Sequence, residues 1–384
     1  MFDLIATATF GLEAVVAREL EALGYDVKVK DSKVEFKGDA KDICRTNLWL
    51  RSADRVLVKM GEFEAFTFDE LFEKTKALPW ENILPEDACF PVLGKSVKST
   101  LFSISDCQAI VKKAIVERLK TKYKKSWFEE SGPKYTIEVG LLKDVATLTI
   151  DSSGAGLHKR GYRELVSEAP LKETLAAALV QLSFWNPLRP LVDPFCGTGT
   201  ILIEAALIGL NIAPGLKRKF DSMHWPQIPE KVWATTFEEA RGAVNYSDFR
   251  LLGYDIDERV LETARLSSIK AGVDKYIDFH KLPVAQFSSK RKYGCVICNP
   301  PYGERMGEAA EAENLYRLMG EVFGNLDTWS FYVLTSNEKF EKFFARRCDR
   351  KRKLYNGRIK VDYYQYHGPR PPKQEITGTV PVVF

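Results

Sequence analysis

Histidine is scarce in this 384-residue sequence, with four in all, and its seven cysteines are scattered, several of them inside apolar runs. That distribution fits reduced, buried thiols and not a disulfide framework. Cys295 and Cys298 have C-x-x-C spacing. On a strand, however, residues three apart point to opposite faces, and no histidine stands near a second cysteine pair, so neither a metal nor a redox centre is expected. A net charge of only +4 excludes a chain-wide polycation, and any nucleic-acid surface must be a local patch. A basic leader is lacking, and Asp3, Glu13 and Arg18 interrupt the first apolar stretch. We therefore expect no signal peptide, no membrane association and a cytoplasmic location. Internal repeats and low-complexity segments are also missing.

Three short motifs carry chemistry. The first is Asn299, Pro300, Pro301 and Tyr302, directly after the apolar run Cys295 to Cys298. A strand here delivers an amide, two ring-locked residues and an aromatic face to its C-terminal end. Prolines have no N–H, which leaves the Pro300 carbonyl open to an incoming amino group beside the Asn299 oxygen, while Tyr302 offers a π-face. A planar base can be clamped and polarised there. Asn-Pro-Pro is also an ordinary strand-ending turn.

The second motif, Leu191 to Thr200, reads as a buried strand, a tight loop and a helix start. Gly197 and Gly199 let backbone approach a ligand, and the N–H groups opening the helix suit a carboxylate or phosphate. Gly197 to Leu202 lacks the third glycine of a nicotinamide fingerprint and the Lys-Ser/Thr of a P-loop. The third motif is Leu251 to Asp257, an apolar run ending in acid. Asp255 stands where ribose hydroxyls are gripped in open α/β sheets, and Asp257 is either a helix cap or a second contact.

In this order and spacing the motifs resemble the class I S-adenosylmethionine-dependent methyltransferases. The likeness narrows at His158 to Arg163, at Ala169 to Leu175 and at Gly303, Glu304 and Arg305, where the chain is similar to the THUMP-domain RNA guanine-N2 methyltransferases, particularly those acting on bacterial 23S rRNA. The resemblance covers essentially the whole chain. It implies a ferredoxin-like domain at 1–65, a THUMP RNA-binding α+β module at 66–155 and a Rossmann-like catalytic domain with a seven-stranded sheet at 165–384. The implied cofactor is S-adenosylmethionine, held by Asp193, Phe195, Gly197, Thr198, Gly199, Asp255, Ile256 and Asn299. Asn299, Pro300 and Tyr302 become the catalytic loop, and Arg305 a residue facing RNA. The implied partner is 23S rRNA or a ribosome-assembly intermediate, with tRNA as the competitor. Adenine-N6 or protein-glutamine methylation and a non-catalytic RNA-binding role are the remaining alternatives. One departure is clear: such enzymes often carry an acid after the third strand to meet adenine, and this chain reads Leu282, Pro283, Val284, Ala285, Gln286.

Two basic runs are candidates for holding RNA. Lys112, Lys113, Lys120, Lys124 and Lys125 lie on and after a predicted helix in the THUMP-like region, and a second run extends from Arg346 to Lys360 among tyrosines. The small-residue stretch Asp151 to Gly156 is the best candidate boundary. Residues 211–249 are long for a crossover and are expected to form an insertion at the rim of the active site.

Overall fold

The computed structural model describes residues 1–163, 171–303 and 309–372. Glu304, Arg305, Ala169 and Pro170 therefore lie outside the described residues. The chain divides into two compact units. The first contains Met1–Ala8, Glu19–Leu157 and Gly215–Gly242, and the second Thr9–Arg18, His158–Pro214 and the chain from Ala243 onward.

The elements run in the order β1 (Phe2–Ala8), α1 (Glu13–Ala22), β2 (Val27–Lys30), β3 (Lys33–Gly38), α2 (Ala40–Trp49), β4 (Ala53–Glu64), α3 (Phe68–Ala77), β5 (Val92–Val97), α4 (Ile104–Tyr123), β6 (Thr136–Leu142) and β7 (Val145–Asp151). There follow α5 (Glu173–Gln181), β8 (Leu191–Asp193), α6 (Thr200–Gly209), α7 (Glu230–Gly242), β9 (Leu251–Asp255), α8 (Glu258–Ala271), β10 (Ile277–Lys281), β11 (Cys295–Cys298), α9 (Ala309–Gly324), β12 (Ser330–Thr335), α10 (Phe340–Phe344), β13 (Arg350–Asn356) and β14 (Ile359–Tyr366).

In the first unit local chemistry sets the element ends. Asp39 accepts from the amides of Lys41 and Asp42 while Asp42 accepts from the Asp39 amide, a reciprocal cap that starts α2. Thr67 caps α3. The sheet runs β2-β3-β1-β4-β7-β6-β5, so the ferredoxin-like strands and the THUMP strands form one continuous sheet. Its join is the antiparallel pairing of β4 with β7, from Leu57 opposite Asp151 to Glu64 opposite Val145.

The segment 211–249, expected as an insertion at the rim of the active site, belongs mostly to the first unit. Residues 215–242 pack inside the first unit. The Gly215 amide donates to the Leu48 carbonyl, and a Cβ on Gly215 would lie 2.7 Å from the Leu48 Cα, so the close approach needs glycine. Arg218 donates to the carbonyls of Ala155 and Gly156, and the Trp225 ring stacks on Tyr135 with centroids 4.7 Å apart. These contacts satisfy backbone at the small-residue stretch, where Ser152 and Ser153 are fully buried.

The second unit has the strand order β10-β9-β8-β11-β12-β14-β13, parallel except for β14 and its pairing with β13. Alternate side chains feed two cores. Cys295 and Ile297 join a cluster with Leu175, Leu202 and Leu261 from α5, α6 and α8, whereas Val296 and Cys298 join Tyr316, Met319 and Phe340 from α9 and α10. The two cysteines of the C-x-x-C pair thus face opposite sides of the sheet, and burial pushes both thiols up, Cys295 to about 12. This is the α/β sheet with helices on both faces that the sequence leads one to expect.

Candidate active site

β8 lies between β9 and β11, and the chain turns one way after β8 and the other way at β11. Loops leaving such strands diverge and leave a crevice at the carboxyl edge, the place where open α/β sheets bind ligands. All three sequence motifs end on that edge.

The loop after β8 is tied down by hydrogen bonds to the Asp193 side chain, to β9 and within its own backbone. Asp193 Oδ1 accepts from the Phe195 amide at 3.0 Å, the Cys196 amide donates to the Tyr254 carbonyl at 2.9 Å, and the Gly199 amide donates to the Cys196 carbonyl at 2.7 Å. Both glycines need left-handed backbone, with φ +51 at Gly197 and +79 at Gly199. Their surroundings differ. A Cβ on Gly199 would lie 2.8 Å from Phe279 Cζ, whereas one on Gly197 would meet nothing within 4 Å. Gly199 is therefore glycine for packing as well as for φ, and Gly197 has open space beside it.

Asp255 ends β9 and holds two amides, Gly197 on Oδ2 and Asp257 on Oδ1, each at 3.0 Å. Each carboxylate oxygen retains acceptor capacity for a hydroxyl. Ile256 beside it is 68% exposed, a large apolar side chain offered at the strand end. Asp257 is resolved as the cap of α8, accepting from the Arg259 amide. Leu282 donates its amide to the Asp255 carbonyl, which brings the acid-free Leu282 to Gln286 stretch next to Asp255, with Gln286 exposed. Asp193 is fully buried, and among the described residues no cation pairs with it. Burial, and then the charge of Asp255, raise its carboxyl to about 8.

On the other side of β8, Asn299 and Pro300 leave β11. The Tyr302 hydroxyl donates to Asn299 Oδ1, and Tyr316 of α9 donates to the Pro301 carbonyl at 2.9 Å. No described group donates to the Pro300 carbonyl, so that acceptor is available beside the Asn299 oxygen.

The motif at His158 to Arg163 has a role that sequence reasoning did not assign. Arg160 and Tyr162 both reach Glu204 inside α6, at 3.4 and 3.0 Å, and Glu204 is wholly buried. Arg163 donates to Thr200 Oγ1 and pairs with Glu173 of α5 at 3.4 Å. Charges this deep persist only when matched, so the network fixes the helix that opens at the glycine loop. A lone Glu204 in the apolar run Thr200–Gly209 was the available signal.

The lysine run is placed on and after α4 but is largely neutralised. Lys112 pairs with Glu130, Lys120 with Glu117 and Lys125 with Glu86. Lys113 lies over the Phe72 ring, and Lys124 caps the helix with φ +53. Among the described residues no helix is long and apolar enough to cross a membrane, and no cluster of three metal-ligating side chains occurs.

A seven-stranded sheet with a glycine loop, an acid ending the neighbouring strand and an Asn-Pro-Pro-Tyr loop on adjacent strand ends defines a class I methyltransferase, whose cofactor is S-adenosylmethionine. Residues 160–365 match the family profile described as RMKL-like, methyltransferase domain, residues 3–57 match the RlmL ferredoxin-like domain, and residues 65–151 match the THUMP domain. The chain belongs to this RlmL/THUMP family of RNA methyltransferases. It is 54% identical over 98% of both chains to the Bacillus subtilis protein provisionally named RNA methyltransferase YpsC. Among solved structures it is similar to a Listeria monocytogenes protein predicted to be an N6-adenine-specific DNA methylase (55% identity, TM-score 0.92, 96% of each chain covered). It is likewise similar to the provisional methyltransferase SMU.472, complexed with SAH (45% identity, TM-score 0.92, covering 97% of this chain and 99% of that one).

Proposed function

We propose that this enzyme makes N2-methylguanosine in 23S rRNA, acting in the cytoplasm on the free RNA or on a ribosome-assembly intermediate. The observation that carries the reading is the pair of acceptors at the end of β11, Asn299 Oδ1 and the undonated Pro300 carbonyl, supported by the RlmL-type ferredoxin-like domain beside a THUMP domain. S-adenosylmethionine supplies the electrophilic methyl group. Asp255 holds the ribose and the exposed Ile256 covers the adenine, while the Gly197 to Gly199 backbone and Asp193, Phe195 and Thr198 surround the methionine part.

The exocyclic N2 of guanine is a weak nucleophile because its lone pair is delocalised into the ring. Asn299 and the Pro300 carbonyl accept its two N–H groups and so favour the pyramidal nitrogen, aiming the lone pair along the line of attack. Tyr302 stacks on a base rotated out of its helix and, through its hydroxyl, holds the Asn299 amide in place. The N–C bond forms as the S–C bond breaks, and the nitrogen, made acidic by the new positive charge, then gives its proton to solvent. No strong base is required. Arg305 belongs to the same proposal as a contact to the guanine edge.

The test is nucleoside mass spectrometry of rRNA and tRNA from a strain lacking the gene, with methylation of the isolated RNA by the purified enzyme. Loss of N2-methylguanosine from 23S rRNA, restored in vitro, is the expected result. Loss of the same nucleoside from tRNA would reassign the substrate, and loss of N6-methyladenosine would replace the reaction.

A further inference from the structure

β13 is the outer strand of the second sheet, and Arg350, Arg352 and Leu354 lie on one of its faces, opposite Gln365, Tyr363 and Val361 of β14. Leu354 is buried in the cluster that includes Leu12 and Val15 from the segment opening α1. Gly11 makes that approach possible: its φ is +93, and a Cβ would lie 2.6 Å from the Lys353 carbonyl oxygen. One turn beyond Val15, on the same helix face, stands Arg18. Past the apolar contact, Arg18 therefore adds a third cation to the pair on β13.

Other basic side chains of the same hairpin have carboxylate partners: Lys351 pairs with Asp362 and Lys360 with Glu338. Among the described residues, by contrast, no carboxylate pairs with Arg18, Arg350 or Arg352. The Nε of Arg352 is buried with no hydrogen-bond partner, an arrangement proteins seldom leave unanswered. Burial, and then the charges of Arg350 and Arg18, press the Arg352 guanidinium below its ordinary range. Three mutually repelling guanidinium groups, one of them with an unmade hydrogen bond, concentrate positive charge at one place on the sheet edge.

We propose that Arg18, Arg350 and Arg352 form a phosphodiester-binding site for the substrate RNA. Guanidinium forks match phosphate oxygens two at a time, and such a contact positions the backbone without reading bases. The proposal rests on the reading of this protein as an RNA methyltransferase and adds a place where the RNA is held outside the reacting nucleotide.

The test is filter binding of a 23S rRNA transcript across a salt series, comparing the wild-type chain with Arg350→Gln/Arg352→Gln. The log–log salt slope is expected to flatten by roughly 0.7 to 0.9 for each phosphate no longer neutralised, and Arg350→Lys/Arg352→Lys is expected to keep most of it. Cofactor affinity by calorimetry should be unchanged, and the RNA-free melting temperature of the Gln variant should be equal or higher because repulsion is relieved. Should the double variant fail to fold, Arg350→Gln alone, at an exposed position, carries the same comparison. An unchanged slope in a protein that still makes N2-methylguanosine overturns this site and leaves the proposed function standing. A flattened slope in a protein that makes no N2-methylguanosine keeps the site and removes the guanine reaction. Inorganic phosphate that raises the wild-type melting temperature, together with an equal RNA slope in both proteins, would mark a free-anion site and overturn the RNA assignment.

Discussion

The amide of Gly197 donates to Oδ2 of Asp255 across 3.0 Å, so the glycine loop after β8 and the acid ending β9 are one hydrogen-bonded unit. Changing either residue alters the other. Asp255→Ala is expected to lose both amide contacts along with any ribose hydrogen bond, lowering cofactor affinity by about 1 to 3 kcal/mol. Calorimetry with S-adenosylmethionine checks this, and unchanged affinity would place the cofactor elsewhere.

The two glycines should separate fold from binding. Gly199→Ala forces a side chain into a left-handed position and against Phe279, so we expect a loss of stability of about 2 kcal/mol or more in urea unfolding. Gly197→Ala has the same unfavourable φ but open surroundings, so its stability loss should be smaller while its cofactor affinity drops. Equal stability losses would contradict the packing role given to Gly199.

At the acceptor end, Asn299→Ala is expected to abolish transfer while cofactor binding persists, since the proposed mechanism has the amide act on the amino nitrogen. Tyr302→Phe retains the stacking face and removes the hydroxyl that holds Asn299 Oδ1. We expect kcat to fall roughly tenfold with little change in cofactor affinity, the worth of about one oriented hydrogen bond. Single-turnover kinetics distinguish this from a defect in RNA binding.

Asp193 predicts a pH dependence. Its folded-state value, about 8, lies above that of an unfolded aspartate near ~3.9, so the native state binds the extra proton between those limits. The contribution of this group to stability is therefore full at acid pH, falls as pH rises through that window and levels off above about 8. Asp193→Asn, which is neutral throughout, should flatten the slope of unfolding free energy between pH 5 and 8. A slope identical to wild type would mean the carboxyl is already ionised.

Much of the catalytic half was legible because its signals are local. Leu191 to Thr200, Leu251 to Asp257 and Cys295 to Tyr302 each combine a short apolar run with turn residues, and each sits on a strand end as expected. What escaped was long-range. Ala53–Glu64 alternates poorly and shifts register between Lys59 and Gly61, so neither β4 nor the shared sheet could be read from periodicity. The carboxylates that neutralise Lys112 and Lys125, and the partners of Glu204, are distant in sequence or join different elements, and a basic run reveals nothing about them. The excursion of 215–242 was misread for the same reason: Trp225 finds Tyr135 only in three dimensions.

That excursion also governs the order in which the protein can mature on the ribosome. The first unit cannot bury the Ala155 and Gly156 carbonyls or the Tyr135 ring until Arg218 and Trp225 have been synthesised. By then β8 and α6 of the other unit have already been synthesised. At the pace of translation, on the order of 5 to 20 residues per second, the nascent N-terminal half waits several seconds with those groups uncovered. The first unit is thus completed only after synthesis of the second has begun, and truncation at residue 157 would release an N-terminal fragment lacking part of its own interior.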